Sequence, residues 1–146
     1  MEMLNAVLSD FYERDFRKLI EEVNIFKNED NLWKTQGSVK NSGGNLVLHI
    51  IGGMNYLIGT LLAQTGYIRN RDQEFIIKGV DRKILVTQLE ELIPLVNNTL
   101  KTVSMDKEYP IRFDEEIRSN AYVLLQLSLH LNYHLGQVNY LRRFLE

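Results

Sequence analysis

The sequence predicts an all-α protein built as a four-helix bundle, and three observations support that prediction. Apolar residues recur at intervals of three and four positions over most of the chain, which is the period of an amphipathic helix. The alternation of apolar and polar residues that is typical of half-buried strands is nearly absent. The chain has 146 residues, 45% of them hydrophobic, enough for the core of one compact domain. We therefore expect residues 1–146 to form a single domain.

The first two helices are predicted from their apolar residues and their end signals. The first runs from about Asn5 to Phe26. The second begins near Asn41 or Ser42, either of which can cap it, and stops at Gly66, a residue type favoured just past a helix end. The apolar stripe of the first helix comprises Leu4, Leu8, Phe11, Leu19, Val23 and Phe26.

The second helix is apolar on nearly every face, so we expect it to be the most buried element. It contains three glycines, Gly52, Gly53 and Gly59, and each costs roughly 1 kcal/mol relative to alanine in a helix interior. Close approach of a neighbouring backbone would compensate for that cost.

The remaining two helices carry clearer caps. Asp81 is predicted to cap a third helix from about Arg82 to Val103, and Ser119 a fourth helix that continues to the end of the chain. The connections around residues 66–80 and 104–118 are predicted to be loops, and both are long. Long connections permit a bundle with crossovers as well as a simple up-and-down bundle.

Composition excludes several classes of function. The net charge is −2 and the basic residues are scattered, whereas nucleic-acid binders usually carry a basic stripe. No apolar run approaches the roughly 20 residues that cross a bilayer, and the first residues lack a signal-peptide pattern. The absence of cysteine excludes disulfides and thiolate ligands and fits a cytoplasmic protein. We expect a protein whose substrate is a small molecule and whose partners include neither nucleic acid nor a membrane.

The three histidines are the main functional clue. His130 and His134 are four residues apart on the fourth helix, so both side chains lie on one face. His49 lies in the middle of the apolar second helix. Three histidine ligands with an open position form a known catalytic arrangement, so a divalent metal site is one hypothesis that explains them. The alternative is that the histidines are hydrogen-bonded core residues.

Further polar residues accompany the histidines on two stripes that we predict to face inward. Such stripes are costly on buried helices unless they satisfy each other or a ligand, and a bound metal would explain both. Neither stripe contains a carboxylate, which argues against a di-iron carboxylate bundle. Arg69 and Arg71 could bind an anionic substrate, although solvated loop charges are the alternative. The stripes comprise Asn45, His49, Gly53 and Tyr56 on the second helix, and Gln126, His130, His134 and Gln137 on the fourth.

Two segments carry a family resemblance, NSGGNLVLHIIGGMNYLIG in the second helix and LHLNYHLGQVNYLRR in the fourth. With them the chain resembles the DinB-like, or YfiT-like, superfamily of metal-dependent enzymes, whose pattern is one histidine in the second helix and HxxxHxGQ in the fourth. The segment RNRDQEF further resembles an uncharacterised branch of that superfamily. The matching residues are His49, His130, His134, Gly136 and Gln137.

The resemblance implies more than the residues themselves show. It implies a bundle of up-down-down-up topology that binds nickel or zinc through the three histidines and forms a homodimer. It also implies a transferase that uses a low-molecular-weight thiol such as bacillithiol. A metal-dependent small-molecule transferase is therefore the leading functional hypothesis. The alternatives are a metal-dependent hydrolase, a non-catalytic metal- or ligand-binding bundle in stress response, and a plain structural bundle.

Overall fold

The computed structural model describes residues 2–146 and confirms the all-helical bundle. A short helix, α3, lies in the connection between the second and third long helices, where the sequence predicted only a loop. A 3₁₀ turn at Glu29–Trp33 follows the first helix. The helices are α1 Glu2–Ile25, α2 Gly43–Met54, α3 Arg71–Ile76, α4 Arg82–Thr102 and α5 Asn120–Leu145.

The helix starts follow the predicted caps. The side chains of Asp81 and Ser119 accept hydrogen bonds from backbone amides in the first turns of α4 and α5, at 2.8 and 3.1 Å. Ser42, rather than Asn41, caps α2 and accepts from the amide three residues later at 3.2 Å. These bonds satisfy amides that have no partner within the helix, so they fix where each helix begins.

The predicted stripe of α1 was wrong at one aromatic position. Phe11 is 43% exposed and lies under the guanidinium of Arg14, while Tyr12 and Phe16 are fully buried. Adjacent residues on a helix point about 100° apart, so Tyr12 lies on the buried face with Leu8 and Phe11 lies beside it. The helix also begins at Glu2, three residues before the predicted start.

The second helix is shorter than predicted. Regular α-helix ends at Met54 and continues as a π-helical turn over Asn55–Thr60, six residues before Gly66. The prediction that neighbouring backbone packs on its glycines was also wrong, because the groups nearest the glycines are side chains. A Cβ atom at Gly52 would meet Glu74, one at Gly53 would meet Arg69, and one at Gly59 would meet Thr65.

Hydrogen bonds between helices define the direction of α1 relative to α4. Near the start of α1, Asn5 donates to the carbonyl of Leu100 at 2.6 Å, close to the end of α4. At the opposite end, Arg82 donates to the carbonyl of Phe26 at 2.8 Å. The two helices are therefore antiparallel.

Corresponding contacts define the directions of α5 and α2. Glu22 near the end of α1 bonds Arg142 near the end of α5 at 2.7 Å, so these two helices are parallel. A Cβ atom at Gly43, the first residue of α2, would lie 3.8 Å from Val138 in the second half of α5. Because His49 then meets His130 farther back along α5, α2 and α5 are antiparallel. The long helices follow the up-down-down-up order.

The core fills the space between the four long helices, and α2 contributes most completely to it. Ten of the twelve residues of α2 are buried, including Asn45 and His49. The fold thus places a histidine inside the bundle, opposite the middle of α5.

None of the helices within residues 2–146 is both long and apolar enough to cross a membrane.

Candidate metal centre

The three histidines converge on one point between α2 and α5. The Nε2 atom of His130 lies 3.2 Å from that of His49 and 3.0 Å from that of His134. One ring nitrogen from each residue lies within 4.8 Å of the other two. His49 and His134 are buried, whereas His130 is exposed, so the cluster lies at the edge of the core.

The other ring nitrogens of the two buried histidines are held by hydrogen bonds. Nδ1 of His49 lies 3.0 Å from Oε1 of Glu74, and Nδ1 of His134 lies 2.7 Å from Oε1 of Gln137. Because a carboxylate or amide oxygen accepts a hydrogen bond, these contacts favour a proton on each Nδ1. A proton on Nδ1 leaves a lone pair on Nε2. Both buried imidazoles therefore direct a lone pair at the place where His130 adds its own nitrogen.

This donor set fits a divalent ion. Ions bound at about 2.0–2.1 Å by nitrogens subtending 90–110° bring those nitrogens to about 2.9–3.4 Å of one another. The two Nε2–Nε2 distances, 3.0 and 3.2 Å, fall in that range. Without a cation, three lone-pair acceptors would face each other at hydrogen-bond distance with too few protons to satisfy them. The cluster could hold a metal ion through His49, His130 and His134.

The electrostatic surroundings keep the three rings neutral near pH 7. The pKa of His130 is lowered to about 4, mainly by partial burial of its ring and to a smaller extent by the other two histidines and the nearby arginines. Burial is also the main cause that lowers the pKa of His49 and of His134 below 6.5. Neutral imidazole is the form that binds a metal, so the site has its ligands ready without deprotonation.

A cavity of about 360 Å³ opens beside His49 and His130. Its size is within the range of small-molecule sites. Arg69, Arg71 and Asp114 contribute the charged groups of its wall, and Phe113 with four aliphatic residues contributes apolar surface. A second, larger groove of about 620 Å³ reaches His134 from the other side, along the end of α5.

Some of the other predicted site residues lie beside the histidines, and others do not. Gln137 contacts His134 and Gln126 lines the cavity beside His130, but Gln126 is exposed rather than inward-facing. Asn45 is fully buried and donates to the backbone carbonyls of Glu74 and Ile77, so its amide ties α3 to α2.

Two further predictions concern Tyr56 and the arginines. Tyr56 does not line either space next to the histidines within residues 2–146, and it lies near Tyr109 instead. Arg69 is only 14% exposed and forms an ion pair with Glu74, which excludes a solvated loop charge. Arg71 is exposed and lines the cavity beside His49 and His130.

Sequence reasoning missed the carboxylate of this centre. Glu74 lies in α3, is 6% exposed and contacts His49 directly, although we expected no carboxylate near the histidines. The ring of the next residue, Phe75, lies 4.9 Å from the imidazole of His49. The one available signal was the RNRDQEF segment, which contains both Arg69 and Glu74 and was read as a polar loop.

Comparison with known proteins gives a family without a described activity. No curated protein matches the chain significantly. The profile of one family, described as "Protein of unknown function (DUF1572)", matches residues 2–146, which is almost the whole chain and includes every residue of the candidate centre. A match of that extent shows that the chain belongs to the DUF1572 family.

Proposed function

We propose that the protein binds one divalent metal ion, nickel or zinc, through Nε2 of His49, His130 and His134. The observation that carries the proposal is the convergence of the three Nε2 atoms, two of them with lone pairs oriented by Glu74 and Gln137. The resemblance of the two histidine segments to the DinB-like superfamily supports the same assignment. Such an ion would act as a Lewis acid that lowers the pKa of a thiol or water beside it.

We further propose a small-molecule transferase that uses a low-molecular-weight thiol such as bacillithiol. The protein supplies only three good metal ligands, and a cavity adjoins two of them, so substrate can approach the centre. In the transfer, the sulfur–carbon bond forms as the leaving group departs with its electron pair, and the thiol proton passes to solvent or to a basic side chain. The cavity walls exclude part of the surrounding water.

Arg71 is the group that we assign to an anionic part of the substrate or thiol. Its guanidinium lines the cavity, and no carboxylate in residues 2–146 forms an ion pair with it. Arg69, in contrast, donates to both oxygens of Glu74, and its Nη2 also lies 3.3 Å from Nδ1 of His49. A carboxylate entering the cavity would therefore find one guanidinium free to bind it.

We also propose a symmetric homodimer in the cytoplasm. The exposed side of α5 carries an apolar stripe at three- and four-residue spacing with one interval of seven, which is the pattern that helices bury against one another. A self-complementary stripe of this kind suits a two-fold interface. The stripe comprises Tyr122, Leu125, Leu129, Tyr133, Tyr140 and Phe144.

The test has two stages. Elemental analysis and calorimetric titration of chelator-treated protein with Ni²⁺ and Zn²⁺ should show one ion per chain, and a variant with all three histidines changed to alanine should bind none. The metal-loaded protein is then offered a thiol and an activated aryl chloride, whose thioether product is followed by absorbance. Binding without turnover of any thiol would favour the non-catalytic protein, and thiol-independent hydrolysis of an ester would favour the hydrolase.

A further inference from the structure

Glu74 is a buried carboxylate whose oxygens are both occupied. Its side chain is 7% exposed, and burying a charge is costly unless it is paired and hydrogen-bonded. Oε1 accepts from Nδ1 of His49 at 3.0 Å and from Nη2 of Arg69 at 2.9 Å. Oε2 accepts from Nε of Arg69 at 2.9 Å. The guanidinium of Arg69 thus binds both oxygens of the carboxylate, and Oε1 also faces the histidine.

The surface of α2 is shaped to receive this carboxylate. A Cβ atom at Gly52 would lie 1.9 Å from Oε2 of Glu74 and 2.6 Å from its Cδ, so no other residue fits there while Glu74 stays in place. Gly52 is three residues after His49, on the same face of the helix. One turn before His49, Asn45 holds the backbone carbonyl of Glu74 at 2.9 Å. On both sides of His49, this face of α2 therefore packs against Glu74 or hydrogen-bonds to it.

We propose that Glu74 is a positioning residue that orients His49 for metal binding, with Arg69 and Gly52 as the groups that hold Glu74. The carboxylate selects the tautomer of His49 with its proton on Nδ1, and so directs the Nε2 lone pair towards His130. This inference rests on the proposed metal site. Carboxylates that orient metal-ligating histidines in this way typically contribute about 10–100-fold to metal affinity.

If Glu74 had a merely structural role, its variants would change stability and metal affinity differently. If Glu74 only fastened α3 to α2, its removal would lower stability but leave the tautomer of His49 and the metal affinity of the folded protein unchanged. Two glycines provide a matched comparison. Gly52→Ala inserts a methyl group into the space of the carboxylate, whereas the nearest atom to a Cβ at Gly53 is Nη2 of Arg69, at an ordinary 3.4 Å. Both changes replace a glycine with alanine in the same helix.

The experiment titrates chelator-treated wild type, Glu74→Ala, Glu74→Gln, Gly52→Ala and Gly53→Ala with Zn²⁺ by calorimetry. Circular dichroism first establishes which variants are folded. We expect Glu74→Ala and Gly52→Ala to bind Zn²⁺ about 10–100-fold more weakly than wild type. Gly53→Ala should stay within about threefold, because Glu74 keeps its place, and Glu74→Gln should fall between because its amide oxygen can still accept from His49.

A second readout is the tautomer of His49, measured by long-range ¹H–¹⁵N correlation in the metal-free protein. Wild type should show the proton on Nδ1, and Glu74→Ala should show a mixture of tautomers. Wild type carrying the proton on Nε2 of His49 would overturn the inference even if every variant failed to fold. Unchanged Zn²⁺ affinity in folded Glu74→Ala and Gly52→Ala would overturn it as well. Wild type that binds no Zn²⁺ or Ni²⁺ would instead refute the proposed function.

Discussion

Replacing His130 with alanine should separate metal binding from folding. His130 is the exposed member of the cluster, and its polar contacts to the other two histidines are made by Nε2. Substitution of an exposed side chain usually changes stability by no more than about 0.5 kcal/mol. The metal-free variant should therefore unfold at nearly the wild-type temperature while lacking one of three ligands.

The expected effect of the metal on the free energy of unfolding and on the melting temperature follows from the linkage between binding and folding. An ion that binds only the folded chain at 100 times its dissociation constant adds about 2.7 kcal/mol. With 146 residues, the unfolding entropy is about 0.3 kcal/mol/K, so the melting temperature should rise by about 9 °C. Loss of a residue that orients a ligand weakens metal binding by up to about 100-fold. If loss of a direct ligand weakens it at least as much, the same metal concentration gives His130→Ala at most about 0.4 kcal/mol and about 1 °C.

Differential scanning calorimetry of chelator-treated protein, with and without Zn²⁺, measures the melting temperature of the metal-free protein and its rise when Zn²⁺ binds. Gln126→Ala is the matched control, since Gln126 is also exposed and lies one helical turn before His130 on α5. The control should retain the full rise in melting temperature. A rise in His130→Ala equal to that of wild type, or no rise in wild type, would refute the assignment of His130 as a ligand.

Four further predictions concern the core, the pH response, assembly and the cavity. Leu85→Ala, at a fully buried position, should cost about 2–5 kcal/mol in urea unfolding, whereas Ile84→Ala, at a position 50% exposed, should cost about 0.5 kcal/mol or less; equal costs would contradict the packing of α4. Burial lowers the pKa of His130 from 6.5 in the unfolded chain to about 4, so the unfolded chain binds more protons and the metal-free protein should lose stability as pH falls from about 6.5 towards 4. Urea titrations should show a shallower loss in His130→Ala than in wild type, and equal slopes would exclude this linkage. Light scattering should show a dimer for wild type and a monomer after Leu129→Glu with Tyr133→Glu, while a wild-type monomer at tens of micromolar would refute the interface. Arg71→Gln should raise the KM for an anionic substrate at least about tenfold with little change in kcat; an unchanged KM would remove Arg71 from substrate binding.

The sequence was most informative where a single physical rule determined the outcome. Helical periodicity predicted the four long helices, and the capping residues Asp81 and Ser119 defined the starts of α4 and α5. The spacing of His130 and His134 placed both on one turn, and the only other histidine proved to face them. Phe11 was misplaced because its neighbour Tyr12 is also aromatic, and periodicity alone does not choose between adjacent apolar positions.

The features that could not be predicted depend on contacts between distant segments. Glu74 lies in a segment rich in charges, where a carboxylate is normally solvated. It is buried because Arg69 neutralises it and Gly52 leaves room for it, and neither fact is visible in local composition. The six residues of α3 are likewise too few for helical periodicity to reveal, since isolated helices of that length are unstable without tertiary packing.

The anchoring of α3 limits where the chain between α2 and α4 can change in length. Connections between helices ordinarily tolerate added residues, but tolerance depends on burial and hydrogen bonding of the backbone involved. Asn45 holds two carbonyls, those of Glu74 and Ile77, and the side chain of Glu74 is held by His49 and Arg69. An insertion between residues 70 and 77 would displace the carboxylate from His49. Gly79 is exposed, has φ of +72°, and a Cβ atom added there would meet nothing within 4 Å, so extra residues at this position should be accommodated with the metal centre intact.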